Sequence, residues 1–591
     1  MLTIPVVLNF NPYLSLVLGS LVFFYGGWVF LTGAFREMRA KLPGMMTLIA
    51  IAISAAYLWS VYAVFAGLET LFWELTTLIT VMLLGHWVEM RAVSGAQGAL
   101  KELSKLLPDK AEVIRKGATM AVTLKDLILG DILLVKPGAR VPADGKIIEG
   151  SSELNESIIT GESKPVSKTV GEEVIAGSTN GDGTLKVEVV KIGEHTFLSG
   201  VMRLVAEAEV SKSRLQILSD RAALYLTFIA VIGAIITLLS WLLAGATVAF
   251  AVARVVAVLV IACPHALGLA VPLVASISTT KAAKSGFLVK QRLALESARN
   301  VDIVLFDKTG TLTEGKFGVT SSSSDEALAL AAAVETHSEH PIAEAIVAEA
   351  KRKGLTVGEA KNFKRIPGLG AEAEVEGKKV FVGHRGGTDI KVEVDDKELG
   401  SLMVSDTVRP EAKAAIEALK AMGLKVVMIT GDSEEVAKAV STELGIDEYF
   451  ARVKPEEKIE KVRLLQSKGS KVAMIGDGVN DAPALTQADL GIAIGAGTNV
   501  AIESAGIILI KSDPRDIVKI IRLSKMTYSK MMQNLFWATG YNVVAMPLAA
   551  GALAFKGIVL GPAVAAVLMS VSTVVVAANA GLLAFKKIEN E

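Results

Sequence analysis

Asp307-Lys308-Thr309-Gly310-Thr311-Leu312-Thr313 follows directly on the apolar run Val301-Asp302-Ile303-Val304-Leu305-Phe306. A buried strand that delivers an aspartate to its carboxyl end, with a Thr/Gly turn behind it, sets a carboxylate nucleophile at the ligand-binding edge of an open α/β sheet. The chemistry expected there is an aspartyl phosphate on Asp307, with Lys308 and Thr309 as its immediate neighbours. Phosphate charge calls for a divalent cation, and Gly476-Asp477-Gly478-Val479-Asn480-Asp481, behind the strand-like stretch 471–475, supplies carboxylates at another strand end. Asp477 and Asp481 are therefore the Mg²⁺ candidates. Thr430-Gly431-Asp432, behind 425–429, offers a hydroxyl and backbone amides for phosphate, and Lys458, three residues past Pro455, offers a point charge.

A second set of reactive side chains lies in apolar sequence. Ile261-Ala262-Cys263-Pro264-His265-Ala266-Leu267-Gly268 carries a thiol and an imidazole two apart, and Pro264 withholds a hydrogen bond from the carbonyl of Val260. The loosened helix lets Cys263 and His265 turn toward one centre, and ionisable groups inside a membrane segment default to function. Met569, Ser572 and Thr573 share a helical face in one late apolar segment, as Tyr541, Asn542 and Met546 do in the other. Thiolate, imidazole and thioether together favour copper over Mg²⁺ or Ca²⁺, while some of the small polar residues serve as helix-packing contacts.

The elements that must position these groups are legible from hydropathy. Of 591 residues 51% are hydrophobic and mean hydropathy is +0.48, so membrane spans are expected, at 14–35, 45–66, 70–90, 222–243, 255–276, 534–555 and 558–583. Basic residues near Arg36, Arg91, Lys281, Lys530 and Lys586 put both polar blocks in the cytoplasm. Seven spans then leave the amino terminus outside. Met1 to Leu8 reads as the tail of an earlier apolar segment, so a shortened eight-span protein is expected. A net charge of zero argues against a nucleic-acid partner, and the single cysteine excludes a disulfide framework or a Cys-x-x-Cys metal domain. The polar block 93–215, with short β-branched runs, predicts a β-rich domain, and 282–530 alternates strands and helices as a parallel α/β sheet does. An Ala-, Glu- and Gly-rich insertion at 320–395 is expected to be a separate nucleotide-binding domain. It splits the α/β domain into 282–319 and 396–530, with helices at 1–92, 216–281 and 531–591.

The heptad at Asp307, the hinge aspartates, Thr160-Gly161-Glu162-Ser163, Pro142-Ala143-Asp144-Gly145, His337-Ser338-Glu339-His340-Pro341 and Pro367-Gly368-Leu369-Gly370 together resemble the P-type ATPases of the heavy-metal class IB. Cys263-Pro264-His265 resembles the copper branch carrying histidine, the CopB-like exporters, rather than pumps with Cys-Pro-Cys. The likeness runs from about residue 14 to 585. It implies a helical transmembrane bundle, a β-rich actuator domain and a haloacid-dehalogenase-like, Rossmann-type phosphorylation domain with an inserted nucleotide domain. Glu162 would position the water that hydrolyses the aspartyl phosphate, and Asp144 would be structural. Glu335 and His340 would contact adenosine, while Gly368 and Gly370 would admit backbone close to ATP. Relatives often carry Gly-Asn-Arg where this chain has Gly383-His384-Arg385, which leaves the role of His384 open. Met45, Glu89 and Asp220 match residues that relatives place on the metal-uptake path; His86 lies on one helix face with Glu89, as a further ligand or as its salt-bridge partner. ATP and Mg²⁺ are the implied cofactors, a copper ion the cargo and a soluble metal chaperone a candidate donor. The setting is a bilayer, expected to be the plasma membrane, with catalytic domains in the cytoplasm.

Cu(I) is the favoured ion, with Cu(II) open because imidazole suits it, and Zn, Cd or Ag the alternative within transport. Zinc-type relatives tend to carry an aspartate in the last span, whereas 557–585 here has no charge. A membrane-anchored phosphatase or metal sensor is the competing class. Such a phosphatase usually has an aspartate two residues after its nucleophile, where this chain has Thr309, and threonine there favours a longer-lived phosphoenzyme.

Overall fold

The computed structural model describes residues 3–7, 11–96, 107–108, 110–156, 165–366, 369–384, 390–477, 479–495 and 503–588. The chain divides into two units, one of Met1–Arg299 with Lys519–Glu591, the other of Asn300–Val518.

The bundle helices of the first unit are α1 (Pro12–Leu21), α2 (Trp28–Arg39), α3 (Met45–Ala66), α4 (Phe72–Ala96), α5 (Arg214–Leu243), α6 (Val248–Ile261), α7 (His265–Lys284), α8 (Arg515–Ala550, from Lys519 on) and α9 (Pro562–Phe585). The first apolar run is not one straight span. A π turn at Val22–Gly26 separates α1 from α2, and the two are bent by 47°. The break falls at Gly26-Gly27, where a Cβ on Gly27 would lie 2.3 Å from the carbonyl oxygen of Phe23. α6 and α7 are likewise parted at Ala262-Cys263-Pro264. The Val260 carbonyl, which Pro264 cannot serve, accepts the Cys263 N–H at 3.2 Å instead, closing the last turn of α6.

Among the described residues four helices are long and apolar enough to cross a membrane, α6 and α7 counting as one, or five if the bent pair is a span. A helix lies in each of the seven expected stretches, but those at 14–35, 70–90 and 534–555 are bent or less apolar than that measure asks. α4 and α8 are long enough, but Glu74, His86 and Glu89 in one, and Gln533, Asn534 and Asn542 in the other, dilute their apolar character. The boundary expected at 530/531 falls inside continuous α8. Phe30, Leu48, Ile53, Phe72, Ile79, Leu259 and Met569 fill the bundle core, whereas Ile229, Ile232, Ile236 and Leu239 of α5 remain exposed, as on a helix that faces lipid.

The β-rich part of this unit is a six-stranded sheet in the order 118–123, 110–115, 132–135, 185–191, 144–149, 173–174, with a three-stranded sheet of 166–168, 152–155 and 179–180. Val113, Leu133, Ile147 and Val187 point into its core. The buried Asp144 carboxylate accepts the N–H groups of Ala176 at 2.8 Å and Phe197 at 2.6 Å, pinning the start of helix Phe197–Val210 to the sheet. Burial raises its pKa, and those two amides only partly offset it.

The second unit holds parallel strands β1 (Ile303–Asp307), β2 (Lys425–Ile429), β3 (Glu448–Phe450), β4 (Val472–Gly476), β5 (Leu490–Ile494) and β6 (Ile507–Leu509). Within the unit they lie in the order β6-β5-β4-β1-β2-β3. Their near-continuous apolar character is what a sheet covered on both faces requires. A separate antiparallel sheet runs 313–322, 397–408, 390–394, 378–383, 370–375, 360–366, backed by helices Asp325–Glu335 and Pro341–Arg352. It begins at Thr313, so the boundary expected at 319/320 falls inside its first strand, which pairs with Lys397–Val408.

Candidate functional site

Strand register builds the centre of the second unit. β1 lies between β4 and β2, with Ile475 and Met428 opposite Phe306, so Asp307, Asp477 and Thr430 all emerge at one sheet edge. Loop geometry then closes the group. Gly310 adopts φ +72°, and a Cβ there would come within 1.8 Å of Asp477 Oδ2, so the turn after Asp307 admits glycine alone. The Gly310 N–H donates to Thr313 Oγ1 at 3.3 Å, Thr313 Oγ1 lies 2.5 Å from Asp406 Oδ2, and Arg409 Nη2 donates to the Gly310 carbonyl at 3.2 Å.

Lys458 Nζ bridges Asp307 Oδ1 at 2.7 Å and Asp481 Oδ1 at 2.6 Å, and it is almost fully buried. One oxygen from each of Asp307, Asp477 and Asp481 lies within 4.8 Å of the others. Three hard oxygen donors around one Lys-neutralised centre suit Mg²⁺. Burial first, and the Asp481 carboxylate second, push the Asp307 carboxyl up to about 7 despite Lys458. Asp477 is raised for the same two reasons. Burial pulls Lys458 down, but the two carboxylates outweigh it and its pKa rises. Lys308 does not face the nucleophile; its Nζ pairs with Asp432 Oδ2 at 2.6 Å. Thr309 has the extended backbone that aims the turn, and Thr430 Oγ1 accepts the Asp432 N–H at 3.1 Å. The buried hydroxyl of Thr311 has no hydrogen-bond partner among the described residues. Sequence reasoning missed Asp406 and Arg409, although an acid ending a long strand before Arg409-Pro410 and a helix start was a readable signal.

In the antiparallel region a cavity of about 240 Å³ is lined by Glu335, Ser338, His340, Arg365, Gly370, Gly383 and His384, with apolar walls from Ile342, Leu369 and Ile390. His340 caps the helix Pro341–Arg352, Nδ1 accepting the Ile342 N–H at 3.3 Å, which leaves the proton on Nε2. Burial raises the Glu335 carboxyl, and the Ser338 hydroxyl works against that. A Cβ on Gly370 would meet the Val382 carbonyl oxygen at 2.1 Å. The His384 N–H donates to the Leu369 carbonyl at 2.7 Å while its ring stands exposed at the rim. Arg365, also at the rim, was not anticipated. Gly368 and Glu162 lie outside the described residues.

In the first unit Cys263, His265, Met569, Asn542 and Thr573 are all buried. Cys263 and Met569 share one buried cluster with Tyr541 and Met46 at its margin. The Tyr541 hydroxyl donates to the Ile261 carbonyl at 3.4 Å, and Thr573 Oγ1 donates to the Met569 carbonyl at 3.2 Å, so both are occupied by backbone here. Both amide atoms of Asn542 lack a hydrogen-bond partner among the described residues. His265 reaches the residues expected on the uptake path directly: Nδ1 is 2.6 Å from Met45 Sδ, Nε2 is 3.3 Å from Glu89 Oε2, and that oxygen is 3.0 Å from His86 Nδ1. Asp220 is not brought to this group. It is half-exposed and pairs with Lys212 at 2.7 Å, because a cation eight residues back is within reach across the start of α5.

Residues 301–489 match the haloacid dehalogenase-like hydrolases, and residues 105–206 match the P-type ATPase actuator domain. The chain is 52% identical over 598 residues to the copper-exporting P-type ATPase B of Archaeoglobus fulgidus, covering 97% of this chain and 86% of that protein. It is 45% identical over 606 residues to the copper-exporting P-type ATPase B of Enterococcus hirae, covering 96% and 81%. The crystal structure of a zinc-transporting PIB-type ATPase in its E2·Pi state superposes with a TM-score of 0.63 at 31% identity over 98% of both chains.

Proposed function

Because this chain belongs to the P-type ATPases, we propose that it exports copper across its membrane at the expense of ATP, through a phosphorylated Asp307. A carboxylate oxygen of Asp307 attacks the γ-phosphorus, the bond to the β,γ-bridging oxygen breaks, and ADP leaves. Water positioned by Glu162 then attacks phosphorus, releasing phosphate and restoring the carboxylate. Lys458 holds charge against Asp307 and Asp481 throughout. Asp477 and Asp481 would hold Mg²⁺, which supplies charge neutralisation to the phosphoryl group when bound. Thr430 and the hydroxyl of Thr311, unpartnered among the described residues, serve phosphate. Glu335, His340, Gly370 and the rim imidazole of His384 receive the nucleotide, and Gly368 is assigned to the same role by sequence.

The observation that carries the copper reading is the buried break at Cys263-Pro264-His265, with Met45 against His265 and Met569 in the cluster of Cys263. Thiol, thioether and imidazole in a dry site select a soft monovalent ion, because charge in the bilayer centre is costly. Cu(I) is the favoured cargo and Cu(II) the alternative. Asn542, whose amide atoms have no partner among the described residues, and Met569 complete the membrane site; Tyr541 and Thr573 lie at its edge. Met45, Glu89 and His86 form the uptake path. Residence in the plasma membrane and delivery by a soluble metal chaperone belong to the same reading, the basic last turn of α2 (Arg36, Arg39) being the surface that supports a docking partner. ATPase activity measured against Cu(I), Cu(II), Ag(I) and Zn(II) tests it. Stimulation by Zn(II) alone, persisting with copper chelated, would overturn the cargo and leave the pump intact.

A further inference from the structure

Glu37, in the last turn of α2, belongs to none of the sites above, yet its carboxylate is densely engaged. Oε2 accepts the Gly44 N–H at 2.9 Å, the Thr47 N–H at 2.9 Å and the Thr47 hydroxyl at 2.6 Å, and Oε1 accepts the Met46 N–H at 3.2 Å. These amides are the otherwise unserved donors at the start of α3, whose N-cap, Gly44, brings no side-chain acceptor. A helix start is ordinarily capped by its own N-cap side chain. Here the cap comes from the preceding helix. Packing keeps the two together: a Cβ on Gly33 of α2 would lie 2.7 Å from Met46 Cγ, and the Leu42 N–H donates to the Glu37 carbonyl at 3.0 Å. The first residue of α3 is Met45, whose sulfur meets His265.

We propose that Glu37 is a positioning residue for metal uptake: by capping α3 from α2 it sets the height and rotation of the turn that presents the Met45 thioether to His265. The inference rests on the reading of Met45 as an uptake ligand. Any displacement of α2 carries the first turn of α3 with it, since separation strands three amides and a hydroxyl at once. α2 thereby governs how Met45 is offered.

The test uses the full chain in lipid, with Glu37→Gln, Glu37→Ala, Thr47→Val, Met45→Leu and the Glu37→Ala/Met45→Leu pair. Readouts are the half-saturating buffered Cu(I) for ATPase, kcat, and metal-free labelling of Asp307 by inorganic phosphate. Loss of a cap corresponds to about a tenfold rise in half-saturating Cu(I) for both Glu37 variants, with kcat and phosphate labelling within about twofold. Thr47→Val gives a smaller rise, and the paired variant is no worse than Met45→Leu alone, because both act through one thioether. Raised half-saturation in Met45→Leu with unchanged values in the Glu37 variants overturns the proposal, as do additive effects in the pair. Unchanged half-saturation in Met45→Leu instead removes the uptake reading beneath it. If the Glu37 variants take no label from phosphate, Thr47→Val decides, and an unchanged Cu(I) dependence there overturns the proposal.

Discussion

Replacing Asp307 with Asn removes a nucleophile and also a buried charge, and the two consequences separate in experiment. A carboxyl moved from 3.8 to about 7 by burial and by Asp481 is ionised in the folded protein only against resistance. Its folded pKa lies above its unfolded one, so the penalty is absent below about pH 4, grows as pH rises, and is complete above about pH 7. At 1.36 kcal/mol per pH unit the full cost is about 4 kcal/mol, of which about 3 kcal/mol develops between pH 5 and pH 8. Asn at 307 escapes that cost while Lys458 keeps Asp481 as its partner. For a unit the size of Asn300–Val518 each kcal/mol is worth about 2–4 °C. The apparent Tm advantage of Asp307→Asn in EDTA should therefore widen by roughly 6 °C or more from pH 5 to pH 8. Added Mg²⁺ should narrow it, because the cation relieves in the native chain what the substitution relieves in the variant. The same preparations, incubated with γ-labelled ATP, should show acid-stable label on the native chain and none on the variant. A Tm difference independent of pH would refute the electrostatic account, and label on the variant would refute Asp307 as the nucleophile.

Glu162→Gln should accumulate phosphoenzyme, since only hydrolysis loses its water-positioning group; ordinary turnover would reduce that loop to structure. Lys458→Met leaves Asp307 and Asp481 facing each other without a cation, so phosphorylation from ATP should fall on the order of 100-fold, measured by initial rates of labelling; a change under threefold would place its charge outside the chemistry. Cys263→Ser should abolish metal-stimulated ATPase while labelling of Asp307 by inorganic phosphate persists, and retained stimulation would move the cargo site elsewhere. His265→Cys should shift the metal preference toward Cu(I), read from ATPase under reducing and oxidising conditions.

The amino-acid sequence by itself determined what is local in the chain. A β-branched run ending in Asp307 and a Thr/Gly turn is a strand end wherever it occurs, because alternation and turn chemistry act over a few residues. The same holds for the strand ends at Thr430 and Asp477, for the apolar stretches that become α3, α5 and α9, and for the helix break at Cys263-Pro264. Membership of the P-type ATPases was legible from those motifs together. Only the tertiary structure decided which distant side chains meet. The start of helix Lys458–Ser467 brings Lys458 between Asp307 and Asp481, and close packing turns His265 toward Met45 and Glu89 while leaving Asp220 to Lys212. Asp406 and Arg409 brace the Gly310 turn from about a hundred residues away, and Glu37 caps a helix other than its own. The 47° bend that divides the first apolar stretch into α1 and α2 is likewise a structural finding that no hydropathy window contains. Such contacts join segments whose approach is set by the shape of the whole core, and no window of local sequence contains that shape.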